Sequence, residues 1–514
     1  MSVRILSAAI TGIDAQLIEV EVDSTPGLHS FTIVGLPDKA VQESKDRIGS
    51  AIKNAGLLAP NSKNRRLIIN LAPADLKKEG PSYDLPVAIG YLYETGQLKF
   101  DSSKVLLAGE LSLDGSLKPI NGALAMAILA DKLGLKEIIL PSSNVKEASI
   151  IQGIEVIGAQ NISEVIGHLN RTSIIDPIEK VSLENSPNSR QADVFSLIKG
   201  QEFAKRALSI AAAGFHNILM YGPPGSGKTI LAKAAIDLMP DMSIDEAIET
   251  AKIYSSVGLI NNSPLSAQRP FRNPHHTTSS VAIVGGGSYP KAGEISLAHR
   301  GVLFLDELPE FRRDVLESLR QPLEDGTVTI SRASGSTVLP AKFMLIAAMN
   351  PCPCGNFGNE KAACVCPPFN ILKYRKKISG PLLDRIDIQV NVPRETIDME
   401  TKTEPQKPEK MAEIRKNIDK AREVQLTRFK GRDIYTNSEI NFKNIDTFCF
   451  LTKTAENLLK TAVNNKGLSL RTYHKIKKLA RTVADLERSE LIDETHIAEA
   501  LSLRLNEKMF SDLA

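Results

Sequence analysis

Residues 217–239 read NILMYGPPGSGKTILAKAAIDLM. The apolar run Ile218 to Tyr221 is short and ends in a turn of Gly and Pro, after which Ile230 to Met239 is compatible with a helix. Strand, loop and helix in that order are what an open α/β sheet uses to hold a ligand at its strand ends. Between strand and helix, Gly222, Gly227, Lys228 and Thr229 fit the spacing G-x-x-x-x-G-K-[ST]. Glycines let successive backbone N–H groups wrap a chain of phosphates at a helix N-terminus. The expected ATP-binding residues are therefore Gly222, Pro223, Pro224, Gly225, Ser226, Gly227, Lys228 and Thr229. Lys228 is expected to neutralise β- and γ-phosphate charge, and the Thr229 hydroxyl to ligate Mg2+.

Two further apolar runs end in residues of matching chemistry. GVLFLDELPEF (301–311) brings Asp306 and Glu307 to the end of a second strand. One carboxylate can hold Mg2+ together with Thr229 while the other polarises an attacking water, so the pair points to hydrolysis of ATP and not to binding alone. FMLIAAMN (343–350) closes on Asn350.

A chain of 514 residues is too long for one hydrophobic core. Sixty-three Lys and Arg against 60 Asp and Glu leave a net charge of +3, which excludes a generally basic nucleic-acid coat. The stretch MSVRILSAAITGIDAQ is interrupted at Gly12 and Asp14 before it takes signal-peptide form, and no apolar run approaches the ~18 residues of a membrane span. A cytoplasmic protein without membrane partners is expected. Polar stretches at 172–192 and 393–409 separate three blocks. In the first, strand-like runs (LIEVEV, FTIVG, RLIINL, KVLLAG, EIILP, IEVIG) alternate with helix-like ones, an α/β pattern. In the last, Ser469 is an N-cap candidate, and Leu470, Tyr473, Ile476, Leu479, Ala480, Val483 and Leu486 recur at helical spacing.

The P-loop, the acidic strand end, Asn350, then Arg385 in GPLLDRIDIQV and Arg471 in SLRTYHKIKKLAR, taken in order, resemble the parts of an AAA+ ATPase. The resemblance implies that Asn350 is sensor 1, Arg385 an arginine finger reaching a neighbouring subunit's γ-phosphate, and Arg471 the sensor 2 arginine. It also implies a homo-oligomeric ring, usually a hexamer. FRNPHHTTSSVAIVGGGSYPKAGEISLAHRG (271–301) and SGPLLDRID (379–387) resemble the magnesium-chelatase-like branch. FTIVGLPDKAVQESKDRI, NLAPADLKKEGPSYDLPVAIG and AGELSLDGSLKPINGALA resemble the YifB and ComM subfamily, which joins a Lon-protease-like domain to this ATPase. The implied architecture is α/β. A Lon-protease-like domain of the ribosomal protein S5 domain 2 type covers 1–171, an AAA+ core 193–392 with a Cys-rich insertion at 351–367, and an α-helical lid 410–514.

The Lon-type peptidase needs a Ser nucleophile and a Lys base. Ser82 occupies the serine place in GPS, but where the Lon pattern P-I-G-G-L-K ends in Lys this chain has Pro119, Ile120, Asn121, Gly122, Ala123 and Leu124. Leucine accepts no proton, and Lys118 lies six residues upstream, so the domain is expected to be a binding or assembly module. Cys352, Cys354, Cys364 and Cys366 form C-x-C-x9-C-x-C. Four thiolates could close a tetrahedral structural zinc site; the alternative is four reduced thiols. His275 and His276 could be ligands too, but a loop histidine pair near a Gly run is expected as polar surface or a pore contact, and Cys449 as core. Residues 407–514 hold 21 Lys and Arg against 16 Asp and Glu. Lys475, Lys477, Lys478 and Arg481, and Lys373, Arg375, Lys376 and Lys377, are clusters that could track phosphates once a ring repeats them, the alternative being solvated faces. The segment 282–291 and TVTISRASGSTVLPAK, with Arg332 and Lys342, are candidate pore loops. Likeness to ComM implies single-stranded or branched DNA as substrate and helicase-driven branch migration in recombination. A magnesium-chelatase-type remodeller and an ATP-dependent protease are the alternatives.

Overall fold

The computed structural model describes residues 3–62, 64–180, 194–260, 265–287, 291–332, 335–358, 362–394, 408–432 and 434–504. These fall into two compact units: described residues of 1–185, 243–267 and 290–292 form the first, and those of 186–242, 268–289 and 293–514 the second. Segment 243–267, inside the span expected to be ATPase core, thus belongs with the N-terminal unit. Gly122 N donates to Ser255 O at 2.9 Å, and Lys252 pairs with Asp14 at 2.5 Å.

The first unit is built on a seven-stranded mixed sheet of β1 (Val3–Thr11), β2 (Asp14–Pro26), β3 (Ser30–Val34), β4 (Arg65–Ala72), β5 (Val105–Leu107), β6 (Glu137–Pro141) and β7 (Glu155–Ala159), in the order β3-β4-β2-β1-β5-β6-β7. The N-terminal apolar stretch is the first arm of a hairpin, with Thr11 opposite Asp14. In β2, Ile18, Val20 and Val22 are buried while Glu19 and Glu21 are not, so one face meets the core. Helix α1 (Lys39–Asn54) starts at Asp38, whose carboxylate accepts the Val41 N–H at 2.8 Å, and buries Val41, Ile48 and Ile52 at helical spacing. Helix α2 (Asp84–Glu94) is buried over Leu85 to Leu92 and forms the centre of this core. Helix α3 (Ala123–Lys132) packs on β2 and beside α6 (Ile244–Ser256) from the later segment; between them in the chain come α4 (Glu202–Gly214) and α5 (Lys228–Leu238) of the second unit.

The second unit has a five-stranded sheet, parallel throughout, of β8 (Ile218–Tyr221), β9 (Phe271–Arg272), β10 (Val302–Leu305), β11 (Met344–Met349) and β12 (Ile388–Asn391), ordered β9-β10-β11-β8-β12. Strands β8, β10 and β11 are buried at every residue, as a sheet covered on both faces requires. Helices α7 (Pro408–Arg428), α8 (Lys453–Lys466), α9 (Leu470–Leu486) and α10 (Glu494–Ser502) share one continuous core with this sheet. Ser469 caps α9, its hydroxyl accepting the Thr472 N–H at 3.2 Å, and Ile476, Leu479, Ala480 and Val483 are buried as their spacing anticipates. Full burial of each large aliphatic side chain contributes about 1.5–3 kcal/mol. The helical region meets the sheet where its strands begin: His216 Nε2 lies 2.8 Å from Thr482 Oγ1, and Lys475 Nζ 2.7 Å from Asp387. Among the described residues no helix is long and apolar enough to cross a membrane.

Candidate functional site

Strand β8 is flanked by β11 and β12 with Tyr221 opposite both Met349 and Asn391, so the loops leaving these strands open at one edge of the sheet. The turn 222–227 leaves β8 there, anchored by Gly222 N to Met349 O at 3.2 Å, and α5 begins at Lys228. The Lys228 ammonium donates to the carbonyl oxygens of Gly222 and Pro223 at 2.7 and 2.9 Å, and lies 3.3 Å from Asn350 Oδ1. Burial pushes this ammonium down to about 8, against the pull of Asp306 and Glu307. Thr229 Oγ1 donates to Asp306 Oδ2 at 2.7 Å, and the Glu307 N–H donates to Asp306 Oδ1 at 2.9 Å. Glu307 itself sits at φ +51°, a left-handed conformation that costs a non-Gly residue about 1–2 kcal/mol and turns its half-exposed carboxylate out of the strand line.

These residues suit ATP and Mg2+. Gly225 and Gly227 adopt φ +75° and +91°, and the space a Cβ would take at each is open, which leaves a cradle of backbone N–H groups at the start of α5. The Thr229 hydroxyl and the Asp306 carboxylate form the hard-oxygen donor pair that Mg2+ accepts. Lys228, Thr229, Asp306, Glu307 and Asn350, expected separately from sequence, are thus brought together.

Arg385 and Arg471 are not in that group. Arg385 precedes β12 by three residues, and its carbonyl accepts from Asn217, the residue before β8, so it lies at the opposite edge of the sheet. Its guanidinium contacts Glu324 and donates to Pro381 O at 2.8 Å; Arg471 Nη2 reaches the other oxygen of the same Glu324 carboxylate at 2.7 Å. Both arginines line a cavity of about 460 Å3 with Lys342, Asp387, His474 and Lys478. Arg385 Nε is buried and makes no hydrogen bond among the described residues. Glu324 had no sequence signal beyond its position in QPLEDG.

The histidine pair is partly exposed polar surface, as expected, and its place is specific: His276 Nδ1 lies 3.7 Å from Glu307 Oε2, and its ring lies 4.1 Å from that of exposed His275, beside the expected catalytic carboxylate. The signal available was the order of strands: β9, whose first residue lies four positions before His275, is the neighbour of β10.

The basic stretch on α9 corrects an expectation. Lys475 pairs with Asp387 at 2.7 Å, Lys477 with Asp446 at 2.5 Å and Arg481 with Asp485 at 3.0 Å, while Lys478 Nζ donates to Ser438 O at 3.0 Å. Lys477 and Arg481 are buried and the other two largely so, hence these cations knit the helical region to itself and to the sheet and offer no solvent-facing track for phosphates. In the second cluster Arg375 is likewise internal, its Nε donating to Pro351 O at 3.1 Å, whereas Lys373, Lys376 and Lys377 are exposed. The candidate pore hairpin does form, with Thr327–Arg332 antiparallel to Gly335–Pro340; the Arg332 side chain and residues 288–290 lie outside the described residues.

Cys352, Cys354, Cys364 and Cys366 converge, all four sulfurs within 4.8 Å of one another and three of the pairs at 3.4–3.6 Å. Zinc–sulfur bonds of about 2.3 Å in a tetrahedron set an S···S edge of about 3.8 Å, so the donor set fits a metal ion. Cys449 is buried, as expected. In the first unit Ser82 lies in the turn Pro81–Tyr83, with its carbonyl accepting the Gly109 N–H at 2.9 Å, while Leu124 is fully buried in α3 and Lys118 is exposed.

Comparison with known proteins identifies the family. Residues 194–400 match the family described as magnesium chelatase, subunit ChlI; residues 20–144 match subunit ChlI of Mg-chelatase; and residues 408–504 match the C-terminal family of that subunit. The chain is 43% identical over 520 residues to competence protein ComM of Haemophilus influenzae, covering all of both chains, and 41% identical to the Escherichia coli protein YifB over 100% of this chain and 99% of that one. It is also 24% identical to Lon protease 1 of Hydrogenovibrio crunogenus over 39% of this chain and 24% of the protease. With a Lon-like N-terminal domain joined to a P-loop core whose sheet, acidic strand end and helical region are those described above, the chain belongs to the ComM and YifB group of magnesium-chelatase-like AAA+ ATPases.

Proposed function

We propose that the protein assembles into a ring, a hexamer by family likeness, and uses ATP hydrolysis to drive branch migration of DNA. The observation that carries the ring is the division of the catalytic set between opposite edges of one sheet. Lys228, Thr229, Asp306, Glu307 and Asn350 stand where β8, β10 and β11 end, and Arg385 and Arg471 gather where β8 and β12 begin. The four residues of β8, about 13 Å at ~3.3 Å each, lie between the two sets, so a subunit cannot bring its own Arg385 to its own P-loop. A second copy can supply both arginines at once.

Within such a shared site Glu307 accepts the proton of the attacking water, Asn350 orients that water, and Lys228 with the neighbour's arginine balances charge developing on the transferred phosphoryl oxygens. Thr229 and Asp306 would hold Mg2+, which when bound would supply charge screening of the phosphate oxygens. Glu324 keeps Arg385 and Arg471 side by side and releases them to the stronger anion when a neighbour's nucleotide arrives. His276 fixes the direction of the Glu307 carboxylate. The four cysteines hold a structural zinc ion. The N-terminal domain is non-proteolytic, because the position of the Lys base is the buried Leu124.

DNA as substrate rests on full-length likeness to a competence protein and on exposed Lys373 and Lys376, which a ring repeats around one axis. The test is ATP turnover with forked and single-stranded DNA at low salt, together with branch migration of a four-way junction. Stimulated turnover and ATP-dependent migration are expected; turnover indifferent to either DNA would overturn the motor. The chelatase family descriptions favour a second reading, an ATPase that remodels a porphyrin-metallating partner. It would be preferred if turnover ignored DNA and rose with such a partner.

A further inference from the structure

The Cys-rich turn lies directly against the nucleotide site. Asn350 closes β11 with its amide oxygen 3.3 Å from Lys228 Nζ, and two residues later Cys352 is fully buried at the base of the thiol cluster. The turn then folds back: Gly355 N donates to Cys352 O at 3.0 Å, and Phe357 N donates to Cys352 Sγ at 3.3 Å. Gly355 stands at φ +80°, with its α-carbon so close to the P-loop that a Cβ would land on Pro224 Cδ and within 2.9 Å of its Cγ. From the other side Arg375 donates to Pro351 O at 3.1 Å and lays its guanidinium 5.0 Å from the Phe357 ring centre. Residues 351–358 have no regular secondary structure, so what fixes the Gly355 turn is this side-chain frame and the four converging sulfurs.

We propose that the thiol cluster is a metal-dependent brace for the P-loop: zinc held by Cys352, Cys354, Cys364 and Cys366 locks the Gly355 turn onto Pro224 and so sets the affinity of the ATP site. The proposal rests on the zinc reading above and goes beyond it, since a structural metal need not touch the function of a neighbouring loop. Metal binding orders the loop that carries its ligands, and here that loop is in van der Waals contact with the phosphate cradle and is covalently continuous with Asn350. Without the metal the turn is free to leave Pro224, the cradle loses its outer wall, and nucleotide binds more weakly.

The experiment uses the full-length chain and measures two quantities, zinc per chain by atomic emission and the Kd of a fluorescent ADP analogue. Protein as purified is compared with chelator-stripped protein, stripped protein given back zinc, and two variants: the double substitution C364S/C366S, which removes ligands, and Gly355→Ala, which keeps every thiol but forces a methyl onto Pro224. The expected results are about one zinc per chain, a Kd raised roughly tenfold on stripping and restored by zinc, and a Gly355→Ala variant that keeps its zinc yet binds nucleotide roughly tenfold more weakly. Less than about half a zinc per chain overturns the metal reading and the brace with it. Full zinc with an unchanged Kd on stripping, or an unchanged Kd in Gly355→Ala, overturns the brace and leaves the metal reading standing. Should stripping or the double substitution unfold the protein, Gly355→Ala alone decides, with its zinc content as the internal control.

Discussion

Raising the pH should weaken nucleotide binding in a way that traces to Lys228. In the nucleotide-free site burial holds this ammonium at about 8, well below the ordinary 10.5, because desolvation disfavours its charged form. Phosphate oxygens beside it favour the charged form, so the bound state holds its proton to higher pH than the free state. Below pH ~8 the free protein already carries the proton and affinity is flat; above it, binding must take up a proton and Kd rises toward tenfold per unit. Between pH 7.5 and 9.5 a group titrating at ~8 gives a Kd increase of roughly 25-fold. The assay is the ADP-analogue titration across that range, with Lys228→Arg as control. Arginine stays charged throughout, so whatever its affinity its curve should be flat. A wild-type Kd that does not change by pH 9.5, or an Arg variant with the same slope, would refute the claim that burial governs this lysine.

Glu307→Gln removes the proton acceptor and leaves the Thr229–Asp306 contact intact, so nucleotide should still bind while turnover falls by a factor of at least ~100; normal turnover would mean that another group takes the proton. His276→Ala leaves the Glu307 carboxylate unguided, and kcat should fall about tenfold with nucleotide Kd unchanged, a split that a merely structural histidine would not give. Ser469→Ala deletes the hydroxyl that caps α9 and should cost about 1 kcal/mol in thermal or denaturant unfolding without altering nucleotide affinity.

What the amino-acid sequence made legible is local. The P-loop, the acidic strand end and Asn350 follow apolar runs of four to six residues whose chemistry-bearing neighbour is the next residue in the chain, and all of them meet at one sheet edge. Helix α9 declares itself by spacing and by its cap. What was not legible depends on partners far away in the chain. Lys475 looked like a free cation because Asp387 lies 88 positions earlier, and Lys477 because Asp446 lies 31 positions earlier. Arg481 is the exception: Asp485 is one helical turn on, so its pairing was readable from an i,i+4 spacing. Segment 243–267 joins the first unit through contacts with residues such as Asp14 and Gly122 that no local pattern announces. Glu324 and His276 depend on the fold of the sheet, since β9 is only two residues long and its place beside β10 cannot be inferred from periodicity.

The claim that each ATP site is completed across a subunit boundary can be measured directly by mixing two inactive proteins. Lys228→Ala disables the P-loop edge of a subunit, and Arg385→Ala the arginine edge; each alone should lack turnover. In rings formed from equal amounts, a site works where an Arg385→Ala subunit, with its intact P-loop, faces a Lys228→Ala subunit, with its intact arginine, which is about a quarter of the interfaces if assembly is random. Turnover recovering toward a quarter of the wild-type rate on mixing is the expected result. No recovery in rings verified to contain both variants would contradict a shared site and, with it, the reading of Arg385 as the residue that completes a neighbour's.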